Sequence, residues 1–250
     1  MAKPRTTRKK TGQTRRRRTS APAPEKVPFR KRLRLWLVRG SLGLAAFVLF
    51  VVLLFAIVPP IYTPYMIAER MRVGSLERDW VRYEDMAPAM GRSAVAAEDA
   101  NFCLHWGLDV AAIRDAIEGG SRRGGSTISQ QVVKNVYLWH GRSWFRKSLE
   151  ALLTPIVEAV WSKHRILEVY LNVAEFGEGV FGVQAAAQHY FGVDAIDLSD
   201  MQAARLAAIL PDPKGRSASS PSSFVRSQSA RILDGAATIA VDGRAACFEG

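Results

Sequence analysis

Cysteine is scarce in this chain. The 250 residues hold two, Cys103 and Cys247, too few and too far apart for a C-x-x-C redox pair, a zinc ribbon or a disulfide-stapled scaffold. Two thiols are the default reading, and a disulfide between them stays open for an oxidising compartment. Histidine is scarce too. His105, His140, His164 and His189 show no metal-ligand spacing, so each reads as a packing or hydrogen-bonding residue. No clear period-two alternation of apolar and polar residues appears and no segment repeats, which argues against a sandwich, a barrel or a solenoid.

Acidic charge is nearly absent from the N-terminus. Of 35 Lys and Arg and 23 Asp and Glu, 15 bases and a single acid, Glu25, precede Gly40. The remaining 20 bases and 22 acids nearly cancel, so the net charge of +12 belongs to the tail. The rest of the chain lacks the positive excess needed to hold a polyanion, and nucleic acid is excluded as its partner. Residues 1–34, with Arg15-Arg16-Arg17-Arg18 and Ala21-Pro22-Ala23-Pro24, cannot bury enough apolar surface to fold and read as a disordered basic tail.

Charge of either sign is missing between Arg39 and Glu69, and residues 42–58 are almost wholly aliphatic. With its flanks this run reaches the roughly 20 residues that span about 30 Å of hydrocarbon. A secretory signal has a shorter apolar region, and Pro59-Pro60-Ile61-Tyr62 offers no small-residue cleavage site. A buried core helix is the alternative, but the run has no polar face. The basic flank (Lys26, Arg30, Lys31, Arg32, Arg34, Arg39) predicts a cytoplasmic tail and an outward-facing remainder. The expected organisation is a basic tail at 1–34, a transmembrane helix at 35–62 and a folded domain at 63–250.

That domain reads as mainly helical. Asp109 is a candidate N-cap for a helix at 110–118 that Gly119-Gly120 would end. Thr127 with Gln130, and Ser199 with Gln202, have capping-box spacing ahead of apolar runs, the second of which Pro211 stops. Further helices are expected at 147–161, where Pro155 should kink or divide the element, at 163–173 and at 224–239.

Three segments could carry chemistry. Glu98-Asp99 stands near Phe102 and Trp106, where a carboxylate could lose hydration and its pKa rise toward a value useful for proton transfer. The plain alternative is two solvated acids at a helix end. The stretch GGSTISQQVVKN at 124–135 places glycines ahead of a capped helix, whose free N–H groups and dipole suit an anion such as a pyrophosphate. Gln131, Lys134 and Asn135 share one face of that helix, Arg122 and Arg123 precede it, and no G-K-[ST] makes it a Walker loop. An ordinary polar surface helix reads equally well. Finally, Arg142, Arg146 and Lys147 lead to Glu150, which is either a second functional carboxylate among phosphate-gripping cations or a helical salt-bridge partner of Arg146.

In order, the chain contains Glu98-Asp99…Phe102…His105…Gly107, then Gly124-Gly125-Ser126-Thr127-Ile128-Ser129-Gln130-Gln131…Lys134-Asn135, then Arg146-Lys147…Glu150, then Ser162-Lys163…Ile166-Leu167-Glu168…Tyr170-Leu171-Asn172. This series resembles the motifs of the peptidoglycan glycosyltransferases of glycosyltransferase family 51, over roughly residues 83–210. Gly125, where some relatives have alanine, and Pro155 are minor departures.

The resemblance implies a lysozyme-like, two-lobed helical domain that polymerises lipid II into β-1,4-linked glycan strands with inversion and release of undecaprenyl pyrophosphate. It implies Glu98 as general base and Glu150 on the donor side. Asp99, Phe102, His105, Ser126, Thr127, Gln131, Lys134, Asn135, Arg142, Arg146 and Lys147 are implied as substrate-binding residues. It also implies a divalent cation (Mg2+ or Mn2+) near Glu150, no organic cofactor, lipid II and the growing lipid-linked glycan as substrates, and cell-wall synthases as partners. The domain would then lie on the periplasmic side of a bacterial inner membrane. About 40 residues follow Leu210, and the one K-T-G, at Lys10, lies in the tail, so a transpeptidase domain is not expected. A lysozyme-type lytic enzyme is the alternative, and it accounts less well for the cationic and amide set and for the membrane tether.

Overall fold

The computed structural model describes residues 29–110, 114, 125–141 and 143–249. Residues 1–28 of the disordered tail expected at 1–34, most of the helix expected at 110–118, Arg122, Arg123 and Gly124, and the site residue Arg142 lie outside the described residues.

The first helix, α1, runs from Phe29 to Ile57. It begins earlier than the basic tail was expected to end, because Arg, Lys and Leu at 30–35 are good helix formers. It ends just before Pro59-Pro60, which cannot continue the ladder. At about 1.5 Å per residue its 29 residues reach about 43 Å. An 18-residue stretch of it has a mean hydropathy of 2.7 and is almost wholly exposed, so the helix is long and apolar enough to cross a membrane. The chain divides at Ala45 into two compact units. The described part of the first is the N-terminal stretch of α1 alone.

The second unit, from Ala46 onward, opens with the end of α1. The Phe55 carbonyl would normally accept from residue 59, but proline has no N–H to give. Arg165 supplies the missing donor at 3.0 Å, and the Trp161 indole donates to the Val52 carbonyl at 2.8 Å. The helix exit is thus fastened to the folded domain.

The domain is helical, with α2 (Pro64–Val73), α3 (Pro88–Glu98), α4 (Ile128–Tyr137), α5 (Trp144–Val160), α6 (Lys163–Val173), α7 (Val183–Phe191), α8 (Asp200–Ile209), α9 (Ser223–Val241) and α10 (Ala246–Glu249). Both expected capping boxes are present, each joining a hydroxyl and a glutamine to the first turn, of α4 and of α8. Such caps stabilise a helix start by about 1 kcal/mol. Pro155 does not divide α5. It sits on the exposed face, and the carbonyl that loses its partner is that of Ala151, also exposed. A new start at Ser143, whose hydroxyl accepts from Arg146 N, carries α5 three residues further N-terminal than expected.

Helices α3, α8 and α9 pack together through small residues. Ala94, Ala203, Ala204, Ala207 and Ala208 are all essentially unexposed. Helix α4 packs against α5 and α6 through Ile128, Val132, Val133, Ile166, Leu167 and Leu171. A three-stranded sheet, not expected from the sequence, joins β1 (Glu77–Arg78), β2 (Glu175–Gly177) and β3 (Val180–Phe181) in the order β1-β3-β2. β1 runs parallel and β2 antiparallel to β3. Strands of two or three residues are too short to show an alternating pattern.

Cys103 and Cys247 form a disulfide, with Cα atoms 5.7 Å apart. The default reading of two thiols is thereby corrected. The cause is the short α10: Phe248, fully buried, packs against Phe102 and Tyr83 and brings its neighbour Cys247 to the turn that follows α3.

Candidate active site

Glu98 is the last residue of α3, and Gln131 faces it from α4, donating to Glu98 Oε2 at 2.7 Å. Burial pushes the Glu98 carboxyl above its ordinary range; Gln131 and the Lys134 charge oppose the rise, and Asp99 adds to it. The shielding does not come from the aromatic pair expected to provide it, because Phe102 is in the core and Trp106 is 73% exposed. Tyr170, wholly buried in α6, lies within electrostatic reach of Glu98 and Asp99, and burial holds its phenol protonated.

Asp99 turns away from the cleft. One carboxylate oxygen meets His105 Nε2 at 2.8 Å and the other accepts the Ile128 N–H at 3.0 Å, the first free donor of α4. Thr127 caps the same helix and donates to the Gly107 carbonyl at 2.6 Å. Gly107 has φ +77°, and a Cβ there would stand 2.5 Å from Thr154 Cγ2 and 2.9 Å from Glu158 Cγ. Gly107→Ala should therefore destabilise the domain by about 3 kcal/mol, from left-handed strain plus overpacking. Thermal unfolding should show a Tm lower by about 10 °C, and an unchanged Tm would remove this explanation of the glycine.

These contacts show how the residues expected to bind substrate are held. Phe102 has no exposed surface; it packs beneath the Lys163 ammonium, 4.4 Å from the ring centre. Asp99, His105 Nε2 and Thr127 hold the turn after Glu98 against α4, while His105 Nδ1 is buried without a hydrogen-bond partner among the described residues. Asn135 is buried and meets His140 Nε2 at 3.1 Å. The fourth motif acts in the same way. Lys163 donates to the His105 carbonyl and to Glu158, and Asn172 exchanges hydrogen bonds with the Val81 backbone.

Glu150 is buried on α5, and both its oxygens are engaged, one by Arg146 at 2.6 Å and one by Lys147. Lys147 also donates to Ser126 at 2.9 Å, joining α5 to the approach of α4. Lys134 ties the two carboxylates into one electrostatic cluster. Burial lowers its pKa, and Glu150, Arg146, Glu98 and Lys147 all act on its charge. Glu98 and Glu150 thus both act on the Lys134 ammonium, as do Arg146 and Lys147.

A cavity of about 350 Å³ opens on Gln131, Lys134 and Asn135. Tyr65, His140, Glu175 and Lys214 also line it, and the sequence assigns none of them to the site. Tyr65 donates to Glu175 and stacks on His140 with ring centres 3.4 Å apart. Glu175 is raised by burial, against the pull of Tyr65, Gly179 N–H and Lys214. His140 keeps an exposed edge, yet desolvation and the charges of Lys134, Arg146 and Lys214 push its pKa down to about 4, so it is neutral near pH 7. Residues from α2, the turn after α4, β2 and the loop after α8 meet here, and no local spacing announces that meeting.

Asp99, His105 and Asp109 bring three ligand atoms within 4.8 Å of one another, a group that could hold a metal ion.

The family described as Transglycosylase matches residues 66–237. A biosynthetic peptidoglycan transglycosylase of Jannaschia is 60% identical over 216 residues, which are 86% of this chain and 90% of that protein. One from Pseudomonas putida is 49% identical over 208 residues, covering 79% and 85% of the two chains. One from Stutzerimonas stutzeri is 48% identical over 211 residues, covering 80% and 84%.

Proposed function

The chain belongs to the transglycosylase family, and from that premise we propose that it polymerises lipid II into peptidoglycan glycan strands with Glu98 as the general base. The observation that carries this reading is the hydrogen bond from Gln131 to Glu98, with Gln131 and Lys134 lining the cavity and the Lys134 charge coupled to Glu98, Arg146, Lys147 and Glu150. A hydrolytic enzyme has no use for four cationic and amide groups beside its acid, so the lytic alternative is not favoured.

The chemistry is one displacement. The acceptor's 4-hydroxyl oxygen bonds to the donor's anomeric carbon as the bond from that carbon to the pyrophosphate breaks. The proton passes to Glu98 Oε, and the electron pair leaves with the diphosphate. An α-linked donor gives a β-linked product. The raised pKa of Glu98 brings its basicity toward that needed at neutral pH. Lys134, Arg146, Lys147, Ser126 and Gln131 are placed to receive charge growing on the phosphates, where such donors count most. Glu150 holds Arg146 and Lys147 in position.

Glu150 does not fit a cation ligand as it stands, because both its oxygens are taken by cations.

The apolar α1 serves as a membrane anchor. Its basic flank supports a cytoplasmic N-terminus and a periplasmic domain, and the disulfide agrees with an oxidising compartment. On this reading residues 1–34 form the basic tail, 35–62 span the inner membrane and 63–250 form the periplasmic enzyme. A tether at that surface confines the search for a lipid-linked substrate to two dimensions.

Lys134→Ala should lower kcat/KM for lipid II about 10- to 100-fold, as expected for a lost charge-assisted contact. Polymerisation kinetics on lipid II test it, and a rate within twofold of the parent would take Lys134 out of the donor site.

A further inference from the structure

Glu98 lines a second cavity, of about 660 Å³, whose lining includes neither Gln131 nor Lys134. Its floor is small and apolar, with Ala97, Ala207 and Ala208. Its other wall carries Arg216, Arg231 and Phe224, from the loop after α8 and from α9. Arg216 is held in place: it donates to the Ala208 carbonyl at 3.0 Å and its guanidinium lies 4.8 Å from the centre of the Phe224 ring. Its nearest acid, Asp212, is 3.9 Å away, too far for a hydrogen bond. Arg231 is exposed and, among the described residues, pairs with no carboxylate. Among the described residues, Glu98 is the only acid lining this cavity.

Two guanidinium groups over an alanine floor fit short alkyl carboxylates better than neutral sugars, because the planar fork pairs bidentately with carboxylate. We propose that this cavity is a specificity subsite for the acidic stem peptide of the substrate, whose carboxylates Arg216 and Arg231 grip while the sugar hydroxyl reaches Glu98. The proposal rests on the polymerase reading of the site. It makes Arg216 and Arg231 specificity residues beside the base, outside the set that receives the pyrophosphate.

The test uses the full-length protein in membranes or detergent and two substrates: lipid II with its acidic stem, and lipid II with the stem carboxylates converted to amides. The parent should prefer the acidic substrate. In Arg231→Glu that preference, read as the ratio of the two kcat/KM values, should fall about tenfold, with the change in KM; Arg216→Lys should keep part of it, having the charge without the fork. An unchanged ratio in Arg231→Glu, or an equal loss on both substrates, overturns the proposal. Equal loss with shorter glycans on both would assign the cavity to the sugar chain instead. Failure of the parent to polymerise either substrate would sink the polymerase reading, which the ratio alone cannot do.

Discussion

Replacing Glu98 with Gln is expected to lower polymerisation by about two to four orders of magnitude while lipid II still binds. The amide keeps the size of the side chain and can still accept from Gln131, which donates at 2.7 Å to the parent carboxylate. What disappears is the lone pair that takes the hydroxyl proton. The pH profile gives a second readout. A general base works only when ionised, and burial raises the Glu98 pKa above the ordinary 4.5. The parent rate should therefore fall as the pH drops through that raised value, and this acid limb should vanish from the residual rate of the variant. Stability should move the other way. A carboxyl with a raised folded pKa favours the fold at low pH and weakens it as pH rises past the unfolded value. Glu98→Gln removes that loss, so its Tm near pH 7 should equal or exceed that of the parent. Turnover close to that of the parent, or an acid limb that persists in the variant, would take the base role from Glu98.

The helices and the order of the motifs were readable because their signals are local. Ser199 with Gln202 and Thr127 with Gln130 start α8 and α4 by contacts three residues apart, and the fastening of α6 begins with Ser162 accepting from Arg165 N. The acidic, amide and cationic members of the site were readable for the same reason, as runs within single helices. Their division of labour was not. Whether Asp99 faces substrate or the N-terminus of α4 depends on where Ile128 stands, 29 residues later. Phe102 reads as a candidate contact until Phe248 and Lys163 close over it. Tyr65, His140, Glu175 and Lys214 converge from four separate elements, and each alone is an unremarkable polar or aromatic residue. The sheet escaped because its strands offer at most three residues to a pattern of period two.

Removing the Cys103–Cys247 disulfide should produce the largest loss of stability. The bond closes a loop with a sequence separation of 144. Chain entropy alone assigns about 5 kcal/mol to a loop of that length, near the upper end of what native disulfides contribute. The C-terminal segment it secures has few other anchors. Phe248 is buried against Phe102, the Arg92–Glu249 pair spans 3.0 Å, and Arg244 donates to the Ala100 carbonyl at 3.1 Å. All of these land on α3 or on the turn that follows Glu98, so the bond braces the strip of chain that carries the base. The double variant Cys103→Ala with Cys247→Ala should lower Tm by about 10–20 °C, and a reductant should shift the parent similarly while leaving the variant where it is. Measuring both separates the bond from any packing defect that the substitutions introduce. If reductant leaves the parent Tm unchanged and both thiols of the unfolded protein react with a thiol reagent without prior reduction, the bond is not formed and the brace is left to Phe248, the Arg92–Glu249 pair and Arg244.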